Sequence, residues 1–112
     1  MAAGIHNIAI EQGSTWEMSL GVDQPEGTPS DLTGYTVAGK LAKSFYDDSP
    51  ISFAVYYTDL AIGSFKVSLS SDQTAELDGE YVYVYDIELT APSSVVSRLI
   101  QGQITIIQGV TS

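Results

Sequence analysis

Apolar and polar side chains alternate with a period of two along most of this 112-residue chain, and that rhythm leaves few folds open. Trp16, Met18, Leu20 and Val22 fall on one side of an extended segment, with Glu17, Ser19 and Gly21 on the other. Tyr81, Tyr83, Tyr85, Ile87 and Leu89 likewise alternate with Val82, Val84, Asp86 and Glu88. Successive side chains of a β-strand point to opposite faces, whereas a helix needs apolar residues three and four apart. Each segment is therefore predicted as a half-buried antiparallel strand.

The remaining segments follow the same logic. Ile8 and Ile10 mark a first strand over residues 5–11, ended by Gln12-Gly13-Ser14. Residues 23–34 hold two prolines and two glycines and read as a loop or crossover anchored by Leu32, because proline has no N–H to give a ladder. Tyr35, Val37, Gly39 and Leu41 share one side of a strand over 35–43, and a turn at Asp47-Asp48-Ser49-Pro50 leads to another over 51–57. After a turn at 59–63, Phe65, Val67 and Leu69 mark the next. Ser70 and Gln73 form a capping-box pattern that opens a two-turn helix ending at Asp78-Gly79. A last strand spans residues 95–108, with Val96, Ile100, Ile104 and Ile106 toward the core. Arg98 and Gly102 interrupt that series and suggest a bulge. About seven short strands separated by turns, with one short helical turn, predict an all-β antiparallel sandwich.

Such a length supports one domain, residues 1–112, and folding at this size hides roughly 60–70% of the unfolded surface. With no cysteine, neither a disulfide nor a thiolate metal site is available. The opening residues lack the basic and apolar stretches of a secretory leader, and no window approaches the length of a membrane-spanning helix, so a soluble, unexported protein is expected. Acidic residues outnumber basic ones 14 to 4, a net charge of −10. Nucleic-acid and anionic-membrane binding both need clustered cations. Lys40, Lys43, Lys66 and Arg98 are too few and too scattered to supply them.

Catalytic chemistry finds little support. His6, the only histidine, lies outside the apolar alternation and is expected at the surface, so a Ser/His/Asp arrangement or a zinc site lacks its groups. Asp86 and Glu88 share a strand face and could handle a proton or hold a cation, yet alternation alone places them on a solvated side. Asp47, Asp48 and Asp59 offer oxygen ligands without calcium-loop spacing, and aspartate is an ordinary turn residue. Tyr56 and Tyr57 are adjacent, so one faces outward as a sugar-stacking candidate. Tyr81, Tyr83 and Tyr85 share a face and suit a core or subunit contact. No catalytic, cofactor-binding or metal residue is assigned, and no cofactor is expected.

Residues 1–13, running Met-Ala-Ala-Gly-Ile-His-Asn-Ile-Ala-Ile-Glu-Gln-Gly, resemble the start of small structural proteins of tailed bacteriophages, particularly phages of cyanobacteria. The segments Asp31 to Thr36, Tyr83 to Leu89 and Arg98 to Gly102 follow the same pattern. That family is similar in turn to the immunoglobulin-like N-terminal modules of phage baseplate upper proteins. The resemblance implies an immunoglobulin-like sandwich and a non-enzymatic virion protein, at the tail, the baseplate or a tail-fibre attachment. It implies other virion proteins as partners in an oligomeric particle, with no nucleic acid and no membrane. A capsid or neck decoration protein, and a module recognising host surface glycans, are the alternatives. Gly39 stands where the family tends to have a larger apolar residue, which lets Trp16 or a tyrosine lie across the backbone. Residues 1–7 are expected as an N-terminal arm and residues 109–112 as a shorter tail.

Overall fold

A computed structural model describes residues 4–21, 32–44 and 50–108. They form β1 (Gly4–Ile5), β2 (Ile8–Glu11), β3 (Trp16–Gly21), β4 (Thr36–Ala42), β5 (Ile51–Ser52), β6 (Ala54–Asp59), β7 (Ser64–Leu69), β8 (Val82–Thr90) and β9 (Val96–Ile107). A 3-10 turn (Leu60–Ile62) joins β6 to β7, and helix α1 (Ser71–Ala75) follows β7. The strands make two sheets, one of six strands ordered β1-β9-β8-β4-β5 with β2 also on β9, and one of three ordered β3-β7-β6. This is the all-β sandwich that the alternation predicts.

The core lies where the inward residues of both sheets meet. Phe65, Val67, Leu69 and Ile87 are fully enclosed, and Ile10, Leu41, Leu77 and Ile104 join them. Burying side chains of this size stabilises the fold by about 1.5–3 kcal/mol each. Leu32 is buried, so the anchor of the 23–34 loop sits as expected; residues 23–31 lie outside the described residues.

Four differences from the sequence reading have identifiable causes. The strand expected over 51–57 is two strands in different sheets. Phe53 is the pivot: its N–H donates to the Gly39 carbonyl (2.9 Å), and the chain then crosses to β6. Gly39 does make room for an aromatic ring, but the ring is that of Phe53. A Cβ at Gly39 would lie 2.9 Å from the Phe53 ring edge. Trp16 packs behind it, ring centroids 5.6 Å apart, and Tyr85 meets Phe53 edge-on at 6.2 Å. These three aromatics tie the two sheets together in a chain that has no disulfide to do so.

The last strand does carry a bulge, between the pairs Ile87/Ile100 and Glu88/Arg98, where Leu99 is the extra residue. An inserted residue inverts the alternation beyond it. Val96, expected in the core, is therefore 56% exposed. The N-terminal strand pairs parallel to β9, not antiparallel, and residues 4–7 do not form a free arm. Gly4 and Ile5 lie opposite Ile100 and Gln101, and the ladder resumes at Ile8. Gly102 permits the join: its missing Cβ would fall 2.2 Å from the His6 carbonyl oxygen, which occupies that space. The Tyr85 hydroxyl donates to that same carbonyl, and Asn7 Oδ1 accepts from Gln103 N–H (3.1 Å) where the ladder is broken. Residues 109–112 lie outside the described residues.

The helix is shorter than expected but capped as expected. Ser70 Oγ accepts from Gln73 N–H (3.2 Å), and Gln73 Oε1 accepts from Ser70 N–H (2.9 Å). Thr74 Oγ1 donates to the Ser14 carbonyl (2.7 Å), fixing the helix against the β2–β3 turn. Beyond it the Tyr83 hydroxyl accepts from Asp78 N–H (2.8 Å). A tyrosine early in a strand, bonded back to the corner it has just left, is a device of immunoglobulin-type sandwiches.

Candidate functional site

The outward side of the six-stranded sheet gathers most of what the sequence singled out. Asp86 and Glu88 both face outward on β8. Their cross-strand neighbours are Lys40 on β4, opposite Asp86, and Arg98 on β9, opposite Glu88. Arg98 Nε lies 3.4 Å from Asp86 Oδ2, and its Nη1 donates to Gln101 Oε1 (3.3 Å). Two carboxylates are thus set among two cations. Neither Lys40 nor Arg98 entered the sequence reading of this pair, although each stands at a polar position of its own strand, which was the available signal. The arrangement suits a patterned contact surface better than proton transfer.

Apolar side chains surround this balanced centre. Ile5 is 77% exposed, and Val82, Val96 and Ile107 are about half exposed on the same side. Shallow depressions flank Val84, one reaching Lys40 and Pro50, the other Ile5 and Gln103. Sequence alternation assigned Ile5, Val82 and Ile107 to neither core nor site, and it placed Val96 in the core. Only the register of β1 and β9 and the bulge at Leu99 bring them together.

The aromatic candidates separate. Tyr57 leans over the rim of β4, where its hydroxyl accepts from Val37 N–H (3.1 Å), a donor that the short β5 leaves uncovered. It acts as a bridge between the sheets. Tyr56 remains 57% exposed on the outward side of the other sheet, opposite Lys66. Tyr83 and Tyr85 are buried as predicted, but Tyr81 precedes the strand, is 49% exposed, and carries Lys43 Nζ 4.6 Å above its ring. Tyr56 is therefore the outward-facing aromatic of its pair, and the two rings do not form one platform.

The other candidates do not converge. His6 is exposed, and its backbone rather than its imidazole is engaged, the N–H donating to the Gln101 carbonyl (2.9 Å). Asp59 is exposed at the end of β6, while Asp47 and Asp48 lie outside the described residues. Among the described residues no three His, Cys, Asp or Glu side chains gather as metal ligands. No helix among them is long and apolar enough to cross a membrane.

No family model and no curated protein matches the sequence. Solved structures do match, in 99 chains. Among them is the crystal structure of ICOS in complex with ICOS-L and an anti-ICOS-L VNAR domain, with a TM-score of 0.53 and 13% sequence identity. The match covers 96% of this chain and 56% of that one, so this chain spans little more than half the length of the chain it matches. At such low identity the likeness is one of fold. The chain has an immunoglobulin-like β-sandwich, and fold alone assigns no activity.

Proposed function

We propose that this chain is a non-enzymatic structural subunit of a tailed-bacteriophage virion, an adaptor at the tail, baseplate or tail-fibre attachment. Its resemblance to small phage structural proteins supports the virion assignment. The observation that carries the structural role is the outward side of the six-stranded sheet. There Ile5, Val82, Val96 and Ile107 surround a quartet of Lys40, Asp86, Glu88 and Arg98 with balanced charge. On a chain with net charge −10, a surface both apolar and locally neutral is where another protein can pack without bringing unpaired like charges together. Other virion proteins are the partners. Four basic residues leave nucleic acid and anionic membranes without a counterpart.

Mass spectrometry of purified particles, with the chain's position located in a density map, tests this reading. The expected result is several copies at the tail or baseplate. Copies on the capsid or neck would move the same surface to a decoration role and overturn the adaptor assignment. Particles without the chain would overturn the virion assignment altogether. Loss of glycan binding in Tyr56→Ala, with Tyr57→Phe unaffected, would instead identify a carbohydrate-binding module.

A further inference from the structure

We propose that Asp78–Gly79 is a site of spontaneous main-chain isomerisation to isoaspartate, kept unreactive in the folded protein by the hydrogen bonds of the Tyr83 corner. The co-reactant is water. The inference rests on the geometry of that corner and does not depend on the virion assignment.

Aspartate followed by glycine is the pairing most open to this chemistry, because glycine offers its main-chain nitrogen with no side chain to hinder the approach. The sequence contains that pairing once. The Gly79 nitrogen attacks Cγ of the protonated Asp78 side chain and loses its proton, the N–Cγ bond forms, and one carboxyl oxygen leaves as water. Water then opens the resulting succinimide. Attack at Cγ restores aspartate. Attack at the main-chain carbonyl carbon breaks that carbon's bond to the Gly79 nitrogen and routes the chain through the side chain. One water leaves and one enters, so no oxidant or cofactor is required and the mass is unchanged.

The fold calls for both residues. Asp78 is half-buried and tied at three points: its N–H donates to the Tyr83 hydroxyl (2.8 Å), its Oδ1 accepts from Glu80 N–H (2.9 Å), and its carbonyl accepts from Tyr81 N–H (3.1 Å). An aspartate bonded to the main chain two residues on is a common turn former. Gly79 lies against the Gln108 side chain, where a Cβ would fall 2.3 Å from Gln108 Nε2. A reactive pair thus stands where the turn between α1 and β8 needs an acceptor followed by a residue without a side chain.

The same bonds oppose the reaction. Bringing the Gly79 nitrogen to Cγ requires rotation about the Cα–C bond of Asp78, which swings its carbonyl away from Tyr81. It also requires the carboxyl group to leave Glu80. Tyr83, buried in β8, fixes Asp78 from beyond the turn. On the other side Leu77 is buried, and its carbonyl accepts from Gln12 Nε2 (2.7 Å). An isoaspartate adds one methylene group to the main chain between these two anchors. The corner then no longer fits, and α1 is uncoupled from β8.

Incubation of the intact chain at neutral pH tests this, read by peptide mapping with electron-transfer fragmentation, which tells the two equal-mass forms of residue 78 apart. Isoaspartate is expected to accumulate slowly in the folded protein and fastest in urea. Tyr83→Phe is expected to gain it about fivefold faster than the unaltered protein, the rise in open-turn population that losing one hydrogen bond gives. Tyr85→Phe loses a hydrogen bond elsewhere and leaves Asp78 N–H paired, so its rate is expected to match that of the unaltered protein. Gly79→Ala is expected to suppress the product in urea, where packing against Gln108 plays no part. No acceleration in Tyr83→Phe, or equal acceleration in Tyr83→Phe and Tyr85→Phe, would overturn the role of the corner. Folded protein reacting as fast as the urea-unfolded chain would do the same, and that contrast holds even if Tyr83→Phe folds poorly. No isoaspartate at residue 78 in urea would overturn the site itself.

Discussion

Tyr85 shows how much of this fold rests on single atoms. Its ring meets Phe53 edge-on, and its hydroxyl donates to the His6 carbonyl that sits over Gly102. Burial raises its pKa from 10.0 to about 12, because the phenolate would lose its hydration. A folded-state value above the unfolded one means the contribution is fully present below pH 10 and is lost as the pH rises through 12. Over that window the loss is roughly 3 kcal/mol. Tyr85→Phe is expected to be less stable near neutrality by about 1 kcal/mol, the worth of one hydrogen bond, and to show a flatter alkaline decline. Denaturation midpoints as a function of pH check this; parallel alkaline slopes for the two proteins would refute the buried-phenol account. Gly102→Ala probes the other side of the same contact. A methyl group 2.2 Å from the His6 carbonyl must displace backbone, so a loss of about 1–3 kcal/mol is expected, with amide protection in β2 falling first. Both roles escaped the sequence reading. A glycine inside an apolar series signals close approach, but the sequence does not say which backbone approaches.

At the scale of elements, alternation was a sound guide to existence and a poor one to partnership. Tyr83, Tyr85, Ile87 and Leu89 alternate cleanly, and β8 buries all four. The single strand expected over 51–57 failed because a change of sheet at Phe53 leaves the local pattern almost unaltered. Val96 failed because the period of two inverts beyond the bulge at Leu99, which the interruption at Arg98 and Gly102 signalled without its effect on the residues before it being followed through. Parallel pairing of β2 with β9 links residues nearly a hundred positions apart, a contact for which alternation carries no information. The acid pair at Asp86 and Glu88 was legible; its cations were not, because they come from other strands. The corner at Tyr83 is testable at this scale. Tyr83→Phe deletes the partner of Asp78 N–H while keeping the ring, so a loss of about 1–2 kcal/mol is expected. If the corner fixes the α1–β8 connection, hydrogen exchange should rise there and in β8 more than in β3. Uniform loosening across both sheets would mean that the bond contributes only to global stability.

For the molecule as a whole, two electrostatic terms respond to salt in opposite directions, and their sizes decide which prevails. The ion pairs Lys66–Glu17 and Asp86–Arg98 join partly exposed side chains, and such pairs typically contribute about 0–1 kcal/mol each, diminished by salt. Against them stands the mutual repulsion of ten net negative charges held within one small sandwich, closer together folded than unfolded. That repulsion reaches over a screening length of about 10 Å at 0.1 M salt and about 30 Å at 0.01 M. At low ionic strength it acts across much of a molecule whose principal extents are 44 × 27 × 21 Å. Weak local pairs such as these two, found among the described residues, do not offset a field of that reach, so added salt is expected to stabilise the fold. Urea midpoints in sodium chloride should climb between roughly 0.01 and 0.15 M and then level off as screening saturates. A climb that continues unchanged into molar salt would instead indicate strengthened apolar burial, and a fall would give the ion pairs the larger share. The same repulsion governs assembly: if isolated subunits associate, they should do so less readily at very low salt than at physiological strength, and equal association at both would remove repulsion as the controlling force.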